Sequence, residues 1–118
     1  MKLSRIRGRK CNDYLRRTGK VWKGRTMTIK WLSNAPRHPG VNPDKMAVYA
    51  GTAGSIKLDK SAVKRNRMRR RCKEALRRQV KEAQKLPTMQ LLISPRQASL
   101  TCDFSEIQSD IADFLSQV

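Results

Sequence analysis

The densest group of chemically active side chains in this sequence is a run of cations between residues 57 and 78. The run holds eleven lysines and arginines against Asp59 and Glu74, a net charge of +9, which is half of the +18 carried by the 118-residue chain. Arginine offers a planar fork of donors that fits a phosphate, and lysine offers a point charge. Like charges at this spacing repel one another unless an anion neutralises them. The run therefore predicts a polyphosphate partner, bound with a steep dependence on salt.

The same run has the apolar spacing of a single helix. A stripe at intervals of three and four residues is formed by Met68, Cys72, Ala75, Leu76 and Ala83. This spacing predicts a helix that packs on a sheet through one side while its other sides stay charged. A helix face with mixed charges would be typical of a merely solvated surface, but here one sign dominates. We expect the helix to run to about Lys85 and to break before Pro87.

A longer pattern lies inside this helix. Residues 62–75 read AVKRNRMRRRCKEA, which resembles the RNR signature of the bacterial ribonuclease P protein component. Proteins of that family are small basic subunits that assist an RNA enzyme in tRNA maturation. The asparagine between two arginines fits such a role, because it can read a base or a 2′-hydroxyl.

The resemblance implies two binding surfaces. One is the helix and the turn before it, which would contact the catalytic ribonuclease P RNA through Lys57, Lys60, Lys64, Arg65, Asn66, Arg67, Arg69 and Arg70. The other is a cleft between the first helix and one face of the sheet, which would hold the single-stranded 5′ leader of precursor tRNA. The residues at matching cleft positions are Cys11, Tyr14, Leu15, Lys30 and Tyr49.

The first helix departs from the family in its aromatic residues. Cys11 and Leu15 stand where the family usually carries phenylalanines, so stacking on leader bases would fall to Tyr14 or Trp31. Trp31 has two interpretations, as a core residue or as a stacking platform beside Lys30. Both interpretations stay open at the level of sequence.

Nothing in the sequence predicts a catalytic or metal site on the protein itself. Cys11, Cys72 and Cys102 are odd in number and form no CxxC pair, and His38 lies in a proline-rich loop. We interpret the cysteines as small apolar residues in a reducing compartment. The resemblance implies an enzyme only in the sense of a ribonucleoprotein endoribonuclease, with its active centre and its Mg²⁺ in the RNA. No cofactor is expected on the protein alone.

Length and hydropathy set further expectations. We expect one RNA-binding domain over residues 1–118, since this length supports a single modest core. No run of 18 apolar residues is present, and the start MKLSRIRGRK lacks the apolar stretch of a signal peptide. The sequence thus predicts a cytoplasmic protein whose partners are the catalytic RNA and precursor tRNA, with no membrane and no stable protein partner required.

The remaining elements are predicted from periodicity and turn residues. We expect a helix within Arg9 to Arg17, ended by Gly19, with Cys11, Tyr14 and Leu15 facing inward. Val21 to Leu32 is predicted as one long or two short strands, and Ser33 to Asp44 as a loop. Further strands are expected at Lys45 to Gly51 and Met89 to Ser94. Asp103 and Glu106 form a capping pair for a last helix, whose apolar stripe is Phe104, Ile107, Ile111, Phe114, Leu115 and Val118.

The fold class predicted from this order is α+β. The resemblance implies an α/β sandwich, a mainly antiparallel sheet of about four strands with three helices. It further implies similarity to the second domain of a small-subunit ribosomal protein and a left-handed βαβ crossover, whereas general experience favours the right-handed form. One alternative function is a ribosomal or other structural RNA-binding protein without a role in catalysis. A DNA-binding helix is a weaker alternative, because strands flank the basic helix.

Overall fold

The computed structural model describes residues 2–6, 8–39, 41, 46–83 and 86–118. Its elements in chain order are β1 (Leu3–Arg5), α1 (Arg9–Thr18), β2 (Lys20–Lys23), β3 (Met27–Leu32), β4 (Val48–Thr52), α2 (Ala62–Glu82), β5 (Met89–Pro95), a 3-10 helical turn (Gln97–Leu100) and α3 (Phe104–Gln117).

The five strands form one sheet in the order β1-β4-β5-β3-β2. Strand β4 pairs in parallel with β1 and β5, whereas β3 pairs antiparallel with β5 and β2. The prediction of a mainly antiparallel sheet of about four strands is therefore wrong, and the sheet is mixed. Two causes explain the error. Strand β1 has only three residues and too little alternation to be recognised, and β4 reaches its neighbour β5 through α2, a connection that makes the two strands parallel.

The sheet is covered on both faces. Helices α2 and α3 pack on one face over a core that includes Ile29, Leu91 and Phe114. Helix α1 packs on the other face, where Leu15 and Leu92 belong to a second, smaller cluster. Consecutive strand residues such as Leu91 and Leu92 point to opposite faces, which is why a continuous apolar run forms β5. The left-handed form of the β4–α2–β5 crossover stays a prediction of the resemblance.

The end of α1 matches its prediction. Gly19 donates its backbone N–H to the Leu15 carbonyl at 2.9 Å. A Cβ atom at this position would lie 2.6 Å from the same oxygen, so a side chain cannot fit there. The residue 19 backbone has an ordinary φ of −66°. Lack of space, not a left-handed conformation, thus explains the glycine.

The other elements follow the predicted order with shifted ends. The β-rich segment forms the two short strands β2 and β3, and the predicted Lys45–Gly51 strand is observed as β4, with residue 45 outside the described part. Helix α2 is described to Glu82, so its predicted end near Lys85 lies outside the described residues. Four members of the predicted α2 stripe are buried together with Val80, whereas the fifth, Ala83, is half-buried and caps the C-terminus of the helix.

Helix α3 is fastened to the turn between β2 and β3. The Asp110 carboxylate accepts hydrogen bonds from the Thr26 N–H at 2.7 Å and the Thr26 hydroxyl at 2.6 Å. Glu106 forms an ion pair with Arg25 at 3.3 Å. Asp103 is the N-cap residue, but its side chain makes no capping hydrogen bond, so the predicted capping pair does not form. Among the described residues, no helix is long and apolar enough to cross a membrane.

Candidate nucleic-acid interface

The first half of α2 and the turn before it carry a surface of exposed cations. Ser61 caps the helix by accepting a hydrogen bond from the Lys64 N–H at 3.3 Å, and the first turn contains no acidic residue. Five basic side chains are exposed here and form no ion pair or hydrogen bond within the described part of the chain: Lys57, Lys60, Lys64, Arg67 and Arg70. We call these five residues the open basic surface. The positive end of the helix dipole adds to their attraction for an anion.

Of the other three residues of the predicted RNA-subunit site, Arg65 and Arg69 turn toward the protein, whereas Asn66 is exposed. Arg65 Nη1 donates to the carbonyl oxygens of Asp59 at 2.8 Å and Lys60 at 3.3 Å. Arg69 donates to the carbonyl of Gly54 and, at 3.3 Å, to the side-chain oxygen of Asn66. The structure therefore brings all eight predicted residues into one region, but it divides them into a solvent-facing group, which includes Asn66, and the pair Arg65 and Arg69, which bind the preceding turn.

The second half of α2 is also basic, yet its arginines have partners. Arg71 donates to the carbonyl of Ser99 at 2.6 Å and to that of Cys102. Glu74 accepts hydrogen bonds from Arg77 and Arg78. These hydrogen bonds, of which the one from Arg77 has the larger effect, lower the pKa of Glu74 to about 2. The carboxylate therefore stays ionised and neutralises part of this surface.

A cleft of about 420 Å³ lies beside α1 on the face of the sheet that α1 covers. Its lining residues are Arg16, Lys30, Ala53, Gly54, Ser55, Leu58, Leu92, Ser94 and Pro95. Lys30 Nζ donates to the Arg16 carbonyl at 2.7 Å, which leaves two of the three ammonium donors for a ligand. The lining is thus basic at two points and apolar between them, with no acidic member.

Most of the predicted leader-binding residues do not line this cleft. Lys30 does, while Cys11, Leu15 and Tyr49 are buried beneath α1. Tyr14, predicted to face inward, is 48% exposed, so that part of the prediction is wrong. Two residues correspond to about 200° around a helix, which places Tyr14 on the flank of α1 opposite Arg16.

Trp31 lies on the other face of the sheet. Its ring meets the ring of Phe114 edge-on, with centroids 5.8 Å apart, and Lys20 Nζ lies 5.1 Å from its centroid. Trp31 therefore packs against the α3 side and is separated from Lys30 by the sheet. The structure favours the core interpretation of this residue.

Sequence reasoning missed Arg16, Leu92 and Ser94 as cleft residues. Only Arg16 had a signal in the sequence. Arg16 directly follows the buried Leu15 and so lies at the edge of the covered helix face. Leu92 is the strand partner of Lys30, and Ser94 lies on the same side of β5 two residues later, but this register could not be predicted without the sheet order.

A model of the ribonuclease P family matches residues 1–118 of the chain. The chain belongs to the ribonuclease P family. Membership confirms the resemblance drawn from the sequence, and it implies a ribonucleoprotein endoribonuclease of tRNA processing, with ribonuclease P RNA as the partner of the chain.

Solved structures of ribonuclease P proteins share this fold. The protein from Thermotoga maritima superimposes with a TM-score of 0.75 at 18% identity, covering 98% of this chain and 97% of that chain. The protein from Staphylococcus aureus gives a TM-score of 0.68 at 18% identity, covering 96% of this chain and 92% of that chain. No curated protein matches the sequence significantly.

The three cysteines of this ribonuclease P family member are at least partly buried. Cys11 and Cys72 are buried and Cys102 is half-buried, all as free thiols. Burial raises the pKa of Cys72 to about 12 and also raises the pKa of Cys102. Thiols with raised pKa values are poor nucleophiles at neutral pH. Within the described ranges, no three His, Cys, Asp or Glu residues form a group that could hold a metal ion.

Proposed function

We propose that this chain is the protein subunit that binds the catalytic ribonuclease P RNA through the open basic surface and holds the 5′ leader of precursor tRNA in the cleft beside α1. In this role it assists endonucleolytic removal of the leader, which produces the mature 5′ end of the tRNA. The observation that carries the proposal is the set of five exposed cations that form no ion pair or hydrogen bond within the described part of the chain. Lys64, Arg67 and Arg70 lie on a helix whose opposite side is fixed in the core, and Lys57 and Lys60 lie in the turn before it.

The charge arrangement supports an RNA partner for this surface. Like charges on adjacent helical turns destabilise a helix by a few tenths of a kcal/mol per pair, and phosphates remove that repulsion. Each neutralised phosphate also releases counterions, so that affinity falls linearly with salt on logarithmic axes. Asn66, next to these cations, adds a group that can donate to and accept from a base or a 2′-hydroxyl.

The cleft supports a single-stranded partner. Arg16 and Lys30 can contact two phosphates, while the half-buried Ala53 and Leu58 offer apolar surface to a sugar or base. No aromatic ring lines the cleft, so we expect backbone contacts to dominate over stacking. A salt slope of roughly 0.7 per neutralised phosphate follows for a single strand.

The chemistry of cleavage is proposed to belong to the RNA. The two surfaces consist of donors and cations, which can bind and orient phosphates but cannot act as a general base at neutral pH. The carboxylate of Asp59, in the turn before α2, accepts hydrogen bonds from Ser61 and Gln97. Mg²⁺ bound by RNA phosphates would supply the nucleophile and stabilise the leaving group, and the protein would need no cofactor of its own.

The RNA-subunit surface is tested by two matched double variants of α2. Arg67→Gln with Arg70→Gln removes two exposed cations of the open basic surface. Arg77→Gln with Arg78→Gln removes the same charge from the half that Glu74 neutralises. We expect the first pair to weaken binding of the cognate ribonuclease P RNA more than tenfold and to reduce the salt slope by about two, and the second pair to change affinity far less. Equal losses of RNA affinity for the two pairs would show that the surface binds RNA only through unspecific charge.

The leader cleft is tested with precursor and mature tRNA on the reconstituted ribonucleoprotein. Arg16→Gln with Lys30→Gln should weaken binding of precursor tRNA, since two phosphate contacts are lost, and leave mature tRNA unchanged. Tyr14→Leu is the control on the opposite flank of α1. If only Tyr14→Leu weakens binding of precursor tRNA, the leader binds along the opposite flank of α1. If precursor and mature tRNA lose affinity equally, the leader does not bind on this face of the sheet.

A further inference from the structure

The turn between β4 and α2 is held in place by Arg65 and Arg69 of α2. Arg65 binds the carbonyl oxygens of Asp59 and Lys60 at the end of the turn, and Arg69 binds the carbonyl of Gly54 at its beginning. These arginines are four residues apart and therefore lie on the same side of α2. Arg67, about 200° from Arg65 around the helix, faces away from the turn.

The turn is fixed from the other side as well. The Asp59 carboxylate accepts from the Ser61 N–H at 2.8 Å and from Gln97 Nε2 at 2.7 Å, which ties the turn to the segment after β5. Inside the turn, Ser55 accepts from the N–H groups of Lys57 and Leu58. The backbone is thereby fastened at both ends, while the Lys57 and Lys60 side chains remain exposed.

We propose that Arg65 and Arg69 are positioning residues, which promote RNA binding by fixing the turn that presents Lys57 and Lys60 and not by contacting the RNA. The inference rests on the proposed function of the open basic surface. Cations on a preorganised backbone lose less conformational freedom on binding than cations on a mobile loop. The same turn supplies Gly54, Ser55 and Leu58 to the wall of the cleft, so the two arginines also fix the spacing between the two RNA-binding surfaces.

A double-mutant cycle separates positioning from direct contact. Binding of the cognate ribonuclease P RNA is measured for Arg65→Gln, in the natural chain and in a chain that already carries Lys57→Gln and Lys60→Gln. If Arg65 acts through the turn, the substitution weakens binding about tenfold in the natural chain and less than about twofold in the second background, because coupled residues are not additive. Arg67→Gln is the matched control and should cost the same in both backgrounds.

Each outcome of the cycle decides a different point. Equal losses of affinity for Arg65→Gln in both backgrounds would show that Arg65 contacts the RNA directly. No loss in either background would show that the hydrogen bonds from Arg65 to the turn do not affect RNA binding. Either result overturns the inference. No loss for Arg67→Gln would instead remove the proposed function of the surface. Circular dichroism and the urea midpoint check folding, and Arg69→Gln replaces Arg65→Gln in the cycle if the latter does not fold.

A second test uses the sign of a charge change. Asp59→Ala removes an anion from a surface that binds an anion, so on charge alone RNA affinity should rise. It also releases the turn from Ser61 and Gln97, so positioning predicts that affinity falls, by about three- to tenfold. Glu74→Gln, which removes an anion from the same helix without touching the turn, is the control and should not weaken binding. A rise in affinity for Asp59→Ala would overturn the inference.

Discussion

The two halves of α2 each carry five cations, but only the second half also carries carboxylates, those of Glu74 and Glu82. In the half from Ala62 to Arg70, the cations Lys64, Arg67 and Arg70 face solvent without an internal partner among the described residues. In the half from Arg71 to Glu82, each arginine has a partner in the protein: the carbonyls after the 3-10 turn for Arg71 and the Glu74 carboxylate for Arg77 and Arg78. The number of charges on a helix thus says little about what the helix can bind.

The difference arises from what packs beside each half. The second half lies against the segment that leads into α3, where carbonyl oxygens and the Phe104 ring are within reach; the Arg78 guanidinium lies 4.9 Å from that ring. The first half lies beside a turn in which the carbonyls of Gly54, Asp59 and Lys60 accept from Arg65 and Arg69. For Lys64, Arg67 and Arg70, the described residues offer no hydrogen-bond acceptor.

The largest expected effect is on stability and distinguishes adjacent arginines across the boundary between the halves. Arg71→Ala removes two charge-assisted hydrogen bonds and leaves two partly buried carbonyls without their donor, so the free energy of unfolding should fall by about 3 kcal/mol. Arg70→Ala, one residue earlier and exposed, should change it by less than about 0.5 kcal/mol. Urea denaturation of both variants measures the difference. Similar losses for the two would mean that the Arg71 contacts contribute little.

A second variant gives the first half of α2 a carboxylate partner of the kind that Glu74 provides in the second half. Val63 is 78% exposed and lies four residues before Arg67, so Val63→Glu creates the i,i+4 spacing that Glu74 has with Arg78. RNA affinity should fall about tenfold, since one cation is neutralised and one anion added at the surface. Ala112→Glu on α3 introduces the same charge on another helix and serves as the control. An equal fall for both variants would show that only net charge matters.

Sequence predicted the fold best where the apolar pattern was long. The stripes of α2 and α3 and the run of β5 identify these elements, because burial against one large core fixes their periodicity. Strand β1 was missed because Leu3–Arg5 offers three residues and its pairing partner Val48 lies far along the chain. The predicted strand directions were wrong for a related reason, because parallel and antiparallel strands can carry the same local pattern of apolar residues.

Sequence predicted the location of the candidate site but not the division of labour within it. The resemblance of residues 62–75 identified the region, and the helical spacing already implies that Arg65 and Arg67 face different ways. Only the structure shows that Arg65 is the one that meets the turn. Trp31 is a clearer case. Alternation along β3 already places Lys30 and Trp31 on opposite faces of the sheet, so they could not share one cleft whatever the resemblance implied.

A smaller effect is expected when the second half is made to resemble the first. Glu74→Gln frees Arg77 and Arg78 from their carboxylate partner, which extends the exposed positive surface along α2. Affinity for an unspecific single strand such as poly(U) should rise about threefold. The salt dependence of this affinity should become steeper by less than the amount expected for one additional phosphate contact. Gln108→Glu on α3 would change the charge in the other direction at a distant site. Unchanged affinity for Glu74→Gln would show that these arginines are not accessible to RNA even when released.

The smallest expected effect is the titration of Glu74 itself. Hydrogen bonds from Arg77 and Arg78 lower its pKa to about 2, against about 4.3 in an unfolded chain. Because the folded-state pKa is the lower one, any stabilisation from this carboxylate is complete above the unfolded value and is lost as the pH falls toward 2. The contribution is small because the side chains are solvent-exposed.

Carboxyl ¹³C chemical shifts followed from pH 6 to pH 2 should show Glu74 still ionised near pH 3. Arg77→Gln with Arg78→Gln should move its midpoint upward, and an unmoved midpoint would mean that the two arginines do not neutralise this half of the helix.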